Sequence, residues 1–252
     1  MRVLSLLEPR TFDELRKSVP ESWIVRQVSL KEVLATLASR PGGAIVVNPA
    51  DVAGDALQAI VAASRDAGAR VVLYDVDSLL NARALIDFVT GAHVEVVAPL
   101  PDGSAVAIRS VIEAPSLSIP ALVLRQLATK ILMLPAPCAS ATAKLFSFAP
   151  LPGVTQFNRA SGAHQTTVGR WLRGAGLACP RRLITVARVA RACPAQMVTP
   201  QEPEYGMLGF GDWRKAERCT ERVLNRPLGA VFCASPGEVA ALLASAATVT
   251  PT

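Results

Sequence analysis

No run of eighteen apolar residues in this 252-residue chain is free of charge or proline, so no segment qualifies as a membrane-crossing helix. Cysteine is sparse and scattered. Cys138, Cys179, Cys193, Cys219 and Cys233 are odd in number and widely spaced with no CxxC pair, which speaks against a disulfide framework or a zinc site and leaves small reduced core residues. Histidine is scarcer still: His93 and His164 are too few for a His-based catalytic or metal cluster. The nucleotide and nucleophile motifs GxGxxG, GxxxxGK[ST] and GxSxG are missing, and the Arg-Pro-Gly-Gly-Ala run at 40–44 is too short and misplaced to cradle a phosphate. These absences argue against an enzyme and against a resident metal or cofactor. The N-terminus has too short an apolar stretch, followed by acids, to act as a secretory signal, which points to the cytoplasm.

What is present is apolar: 51% of residues are hydrophobic and 18% charged, enough for one large core or two modest ones, and two domains is the better reading. The net charge of +6 divides unevenly along the chain. Residues 1–119 hold 11 basic and 14 acidic side chains, a net of −3, and residues 120–252 hold 15 and 6, a net of +9. The second half is therefore the one expected to meet a polyanion, although charge alone does not say which.

The first half alternates short β-like runs (2–7, 23–28, 44–47, 70–74, 94–98) with helical spacing near 11–18, 30–38, 54–67, 78–90 and 104–113. Five strands alternating with five helices imply an α/β domain with a doubly wound parallel sheet, flavodoxin-like or receiver-like. The Pro-bounded stretch 115–120 then breaks the pattern, and from there the spacing is helical. Helices are expected at 120–134, near 140–148, 154–161, 165–174, 181–192 and 212–224, and from Pro236 onward before a fraying tail. This divides the chain into an α/β domain (1–114), a linker and connecting helix (115–134), an all-α domain (135–235), and a terminal helix with its tail (236–252). The connecting helix is open between capping the second domain and pairing with its copy in a dimer.

Within residues 161–193 a short helix, a turn at Gly162 and a second helix with Val168, Trp171 and Leu172 on one face form a helix-turn-helix pattern. The opposite face carries Gln165, Thr166, Gly169, Arg170 and Arg173. Gln pairs bidentately with adenine, Arg with guanine, and Thr meets a thymine methyl or a phosphate, so this face has the chemistry of major-groove readout in double-stranded DNA. Arg173, nearer the helix end, is expected on a phosphate. The competing reading is a solvated face of an ordinary helical bundle.

Residues 162–192 resemble the first helix-turn-helix and linking helix of AraC-type regulators in a divergent form, through Arg170, Leu172, Arg173, Ala175, Gly176, Leu177, Pro180, Arg182 and Leu183. Residues 207–231 are similar to the element that opens the family's second recognition helix, through Leu208, Gly209, Phe210, Asp212, Arg218 and Pro227. The resemblance implies an all-α double helix-turn-helix domain that contacts DNA through the first face and Arg182, and through Arg214, Lys215, Arg218 and Arg222 on backbone phosphates. Trp213 is open between packing on DNA sugar and packing on protein. The chain departs from the family at Pro200, Pro203, Tyr205, Gly206 and Gly211, at His164 in place of the usual Ser cap, and at Asn158 and Ser161, where apolar residues are usual.

Residues 1–114 resemble the receiver-like domain that precedes such modules. A receiver carries a phosphoacceptor Asp where this chain has Asn48, and its metal-binding acidic pair, Ser/Thr and Lys are answered by Glu8 alone, Asp75, and Pro99 or Leu100. An amide forms no acyl phosphate. The implied role is homodimerisation, or docking of a protein partner such as RNA polymerase or a signalling protein, without phosphorylation. Asp51, Asp55, Asp75 and Asp77 read as helix caps and surface charges before they read as a binding cluster. The other expectation is an adaptor whose helical domain no longer reads DNA.

Overall fold

The computed structural model describes residues 1–74, 82–91, 94–97, 108, 111–112, 118–146, 151–198, 210, 212–226 and 234–249. The chain forms two compact units, residues 1–80 with 87–117 and residues 81–86 with 118–252.

The α/β part runs β1 (Arg2–Leu6), α1 (Pro9–Ser18), β2 (Ile24–Gln27), α2 (Leu30–Ser39), β3 (Ala44–Val47), a 3-10 turn (Pro49–Asp51), α3 (Gly54–Asp66), β4 (Arg70–Tyr74), α4 (Ala82–Gly91) and β5 (Val94–Val97). All five strands are parallel, in the order β2-β1-β3-β4-β5. The central strand β3 is buried at every residue, as its unbroken Ala-Ile-Val-Val run requires of a strand covered on both faces, while Ile24 on the edge strand β2 is exposed. Helix α1 starts two residues earlier than the expected 11–18 because Pro9 suits the first helical position. Helix α2 opens with a full capping box between Ser29 and Glu32, and its Val33 and Leu37 are buried, as are Leu57, Ile60 and Val61 of α3. Of the expected helix at 104–113, Ile108, Val111 and Ile112 are helical and buried, and the rest lies outside the described residues. Alternation did not anticipate that Glu95 of β5 is 1% exposed. Burial lowers the pKa of the half-buried Arg70 guanidinium, an effect the Glu95 charge partly offsets, and that guanidinium also donates to the carbonyls of Val111 and Ile112.

The Pro-Gly-Gly run is a tight entry into β3. A Cβ on Gly43, at φ +94°, would stand 2.7 Å from the backbone oxygen of Arg2, and the Arg2 guanidinium gathers the carbonyls of Arg40 and Gly42. Neither atom can move without shifting β1. Gly43→Ala is expected to lower stability by about 1–3 kcal/mol, the scale of a forced backbone conformation, read as an earlier urea midpoint. An unchanged midpoint would mean the turn is not constrained as the geometry requires.

The helical part comprises α5 (Ile119–Leu132), α6 (Ala136–Leu145), α7 (Val154–Ala160), α8 (Gln165–Gly174), α9 (Pro180–Val198), α10 (Trp213–Leu224) and α11 (Pro236–Ala246). Of the two roles open for the connecting helix, the structure shows packing within its own unit: Ile119, Val123, Leu124, Leu127 and Ile131 are buried, and α5 lies against α11, α9 and α6. Helix α11 is likewise part of this core, with Val239, Ala240, Leu243 and Ala244 buried behind a Ser235–Glu238 capping box. The tail does not fray at once. Ala247 accepts from Ala178 N–H at 2.8 Å and Val249 donates to Gly176 at 3.1 Å. Helix α9 continues to Val198, past the expected end at 192 and through Pro194. On its buried side Arg191 donates to the Leu145 carbonyl at the end of α6; burial pushes the guanidinium down to about 9, still cationic at neutral pH, and a cation suits a helix C-terminus.

Candidate nucleic-acid interface

Helices α7 and α8 are joined at Gly162, whose φ of +72° makes the turn. Phe157 of α7 is fully buried, and Asn158 is buried as well with its side-chain oxygen unpartnered, an arrangement that costs stability. Ser161 settles its hydroxyl on the Phe157 carbonyl at 2.8 Å. His164 caps α8: its Nδ1 accepts from the Thr166 N–H at 3.5 Å and lies 3.0 Å from the Thr166 hydroxyl. An imidazole at that distance is a loose cap. His164→Ser is expected to hold or raise the chemical-denaturation midpoint, whereas His164→Ala should cost about 0.5–2 kcal/mol; equal midpoints for the two would show the cap to be idle.

Helix α8 buries Val168 and Leu172, with Trp171 half-buried, and exposes Gln165, Thr166, Arg170 and Arg173; Gly169 is half-buried. At about 100° per residue, Gln165, Thr166, Gly169, Arg170 and Arg173 share one arc of about 140° opposite that anchor. The helix ends in a Schellman motif: Gly176, at φ +69°, donates to the Arg173 carbonyl at 2.9 Å, and Leu177 to the Leu172 carbonyl at 2.8 Å. Lys130 of α5 lies over this glycine, so close that a Cβ would stand 2.8 Å from its Nζ, which brings a cation to the negative end of α8. Sequence reasoning missed Lys130, because only tertiary packing brings α5 there.

Helix α10 is capped by Asp212, which accepts from the Lys215 N–H at 2.8 Å; that backbone bond holds its carboxyl below the usual range, helped by the Lys215 ammonium at 3.4 Å. Phe210, ahead of it in the chain, is buried. Arg214, Lys215, Arg218 and Arg222 are all exposed, and at about 100° per residue they fall in a stripe only about 100° wide. Arg218 Nε reaches the Arg214 carbonyl at 3.2 Å. Trp213 begins the helix, but its side chain lies outside the described residues, as do Pro200, Pro203, Tyr205, Gly206, Leu208, Gly209, Gly211 and Pro227. Arg182 does not join the exposed basic groups. Its guanidinium donates to the carbonyls of Arg222, Val223 and Ala246.

In the α/β part, a shallow cleft of about 330 Å³ opens at the carboxyl ends of β1, β2 and β3, lined by Leu6, Leu7, Glu8, Gln27, Val28, Asp51 and Val52. Asn48 follows β3 and closes a turn onto Asp51 through its carbonyl, at 3.0 Å. Asp51 and Asp55 are exposed and cap nothing: the cap position of α3 is Ala53, and Asp55 sits in its first turn. Asp75, Asp77, Pro99, Leu100 and His93 lie outside the described residues, among which no group of three or more His, Cys, Asp or Glu side chains is placed to hold a metal ion. Cys138 is buried as a core thiol, but Cys179 is exposed and Cys219 half-exposed, which corrects the reading of all five as core. No helix among the described residues is long and apolar enough to cross a membrane. Comparison of the chain with protein-family models, with characterised proteins and with solved structures finds no match.

Proposed function

We propose that this chain is a non-enzymatic, sequence-specific DNA-binding transcription regulator of the divergent AraC type, acting in the cytoplasm as a homodimer. Helix α8 enters the major groove, Gln165 and Arg170 read base edges, and Arg173 and the basic stripe of α10 hold phosphates. The flavodoxin-like domain in front is a receiver without its phosphoacceptor, serving dimerisation or docking of a partner protein. The observation that carries this reading is the arc of exposed Gln165, Thr166, Arg170 and Arg173, with half-buried Gly169 among them, on a helix capped at both ends and anchored by Val168 and Leu172. Such a helix can present its side chains in a fixed frame, as direct readout requires.

The test is selection of random duplex DNA by the purified protein at two salt concentrations. One enriched motif, retained at the higher salt, is the expected result. Binding that collapses with salt and enriches nothing would overturn the regulator and favour an adaptor with a nonspecific helical domain.

A further inference from the structure

The C-terminal ends of α10 and α11 meet the first turn of α9 in one junction. Helix α10 stops where Asn225 turns left-handed, at φ +53°, and its N–H takes the Glu221 carbonyl at 2.8 Å. The carbonyls of Arg222 and Val223 are then left to find donors from elsewhere, as the last carbonyls of any helix are. Arg182 supplies both, Nη1 to Arg222 and Nη2 to Val223, each at 3.3 Å, and turns its Nε to the Ala246 carbonyl at the end of α11, at 3.2 Å. One cation thus sits at the negative ends of two helices, and its planar fork fixes their separation in a way a flexible ammonium does not.

The same junction is tied to α8. The turn that closes α8 at Gly176 pairs with the tail through Val249, Leu177 bridges Thr248, and Ala178 donates to Ala247, the residue after Ala246. From Arg173 on α8 to Arg222 on α10 there is a short, hydrogen-bonded path through the Schellman turn, the tail and the Arg182 fork. Nothing along it is a free loop.

We propose that Arg182 is a positioning residue for DNA binding: it fixes the basic stripe of α10 relative to the polar arc of α8, so that both meet one duplex at a single spacing. This rests on the DNA-binding reading above. Three of the five N–H groups of Arg182, one on each of Nε, Nη1 and Nη2, are committed to backbone carbonyls, and this commitment is what makes its role positional.

The experiment uses the full-length protein and its selected duplex, with Arg182→Lys and Arg182→Met as variants. Both should keep the base preference set by α8 while α10 neutralises fewer phosphates. The slope of log affinity against log salt should therefore shrink by about 1 to 3, at roughly 0.9 for each phosphate no longer neutralised. The pair Arg214→Ala with Arg218→Ala, which weakens the parent protein, should have little further effect in Arg182→Met. A residue that only stabilised the fold would lower the melting temperature, leave the slope unchanged and combine additively with the α10 changes. Additive effects, or an unchanged slope in folded Arg182→Lys, would overturn the assignment while leaving the regulator standing. A parent protein that selects no motif would overturn both.

Discussion

Arg170→Ala is expected to weaken binding to the selected operator by about 1–3 kcal/mol, roughly a 5- to 150-fold loss, and to relax base choice at one position. Arg170 is exposed at one edge of the α8 arc, two residues along the chain from the buried Val168 and Leu172 on either side, so truncating it removes a readout group without touching the core. Its melting temperature should stay within a degree or two of the parent, since exposed substitutions away from caps and cores cost little. Arg173→Ala makes the necessary contrast. It lies in the last turn, where a phosphate is the nearer partner, and should weaken all sequences alike while reducing the salt slope by about 1. If Arg170→Ala leaves both affinity and motif intact, α8 is not the reading helix.

Phe157→Ala is expected to act by the opposite route. Its ring is fully buried in α7, the helix that supports α8, and removal of a buried aromatic leaves a cavity costing about 3–5 kcal/mol. That is a large part of the stability of an ordinary domain. The variant should lose DNA binding and show a lower denaturation midpoint together, whereas Arg170→Ala loses binding alone. Phe157→Leu, which refills much of the volume, should recover a good part of both. Full stability in Phe157→Ala would mean that the α7–α8 unit is not held by this packing.

Much of the architecture was legible along the chain because it depends on local chemistry. The Ala-Ile-Val-Val run of β3 has too many branched apolar residues for any position but a strand covered on both faces, and it spans residues 44–47 as expected. Helix α8 occupies 165–174 as the spacing of Val168 and Leu172 requires, and Asp212 caps α10 as its place before the amphipathic run implied. Less legible were elements whose fate depends on distant partners. The 120–134 segment reads as an apolar helix whatever it packs against, and its packing on α11 and α9 is visible only in the tertiary structure.

What the sequence by itself determined, then, was the α/β-then-helical order, the apolar periods, and the residue types on the exposed face of α8, because all three follow from neighbours within a few positions. Tertiary structure alone decided the roles of the cations. Arg182, Arg191 and Arg170 look alike in the sequence, yet one clamps two helix ends, one is buried at the end of α6 and one stands in solvent. A guanidinium's function is set by which acceptors reach it, and those acceptors lie up to 64 residues away along the chain.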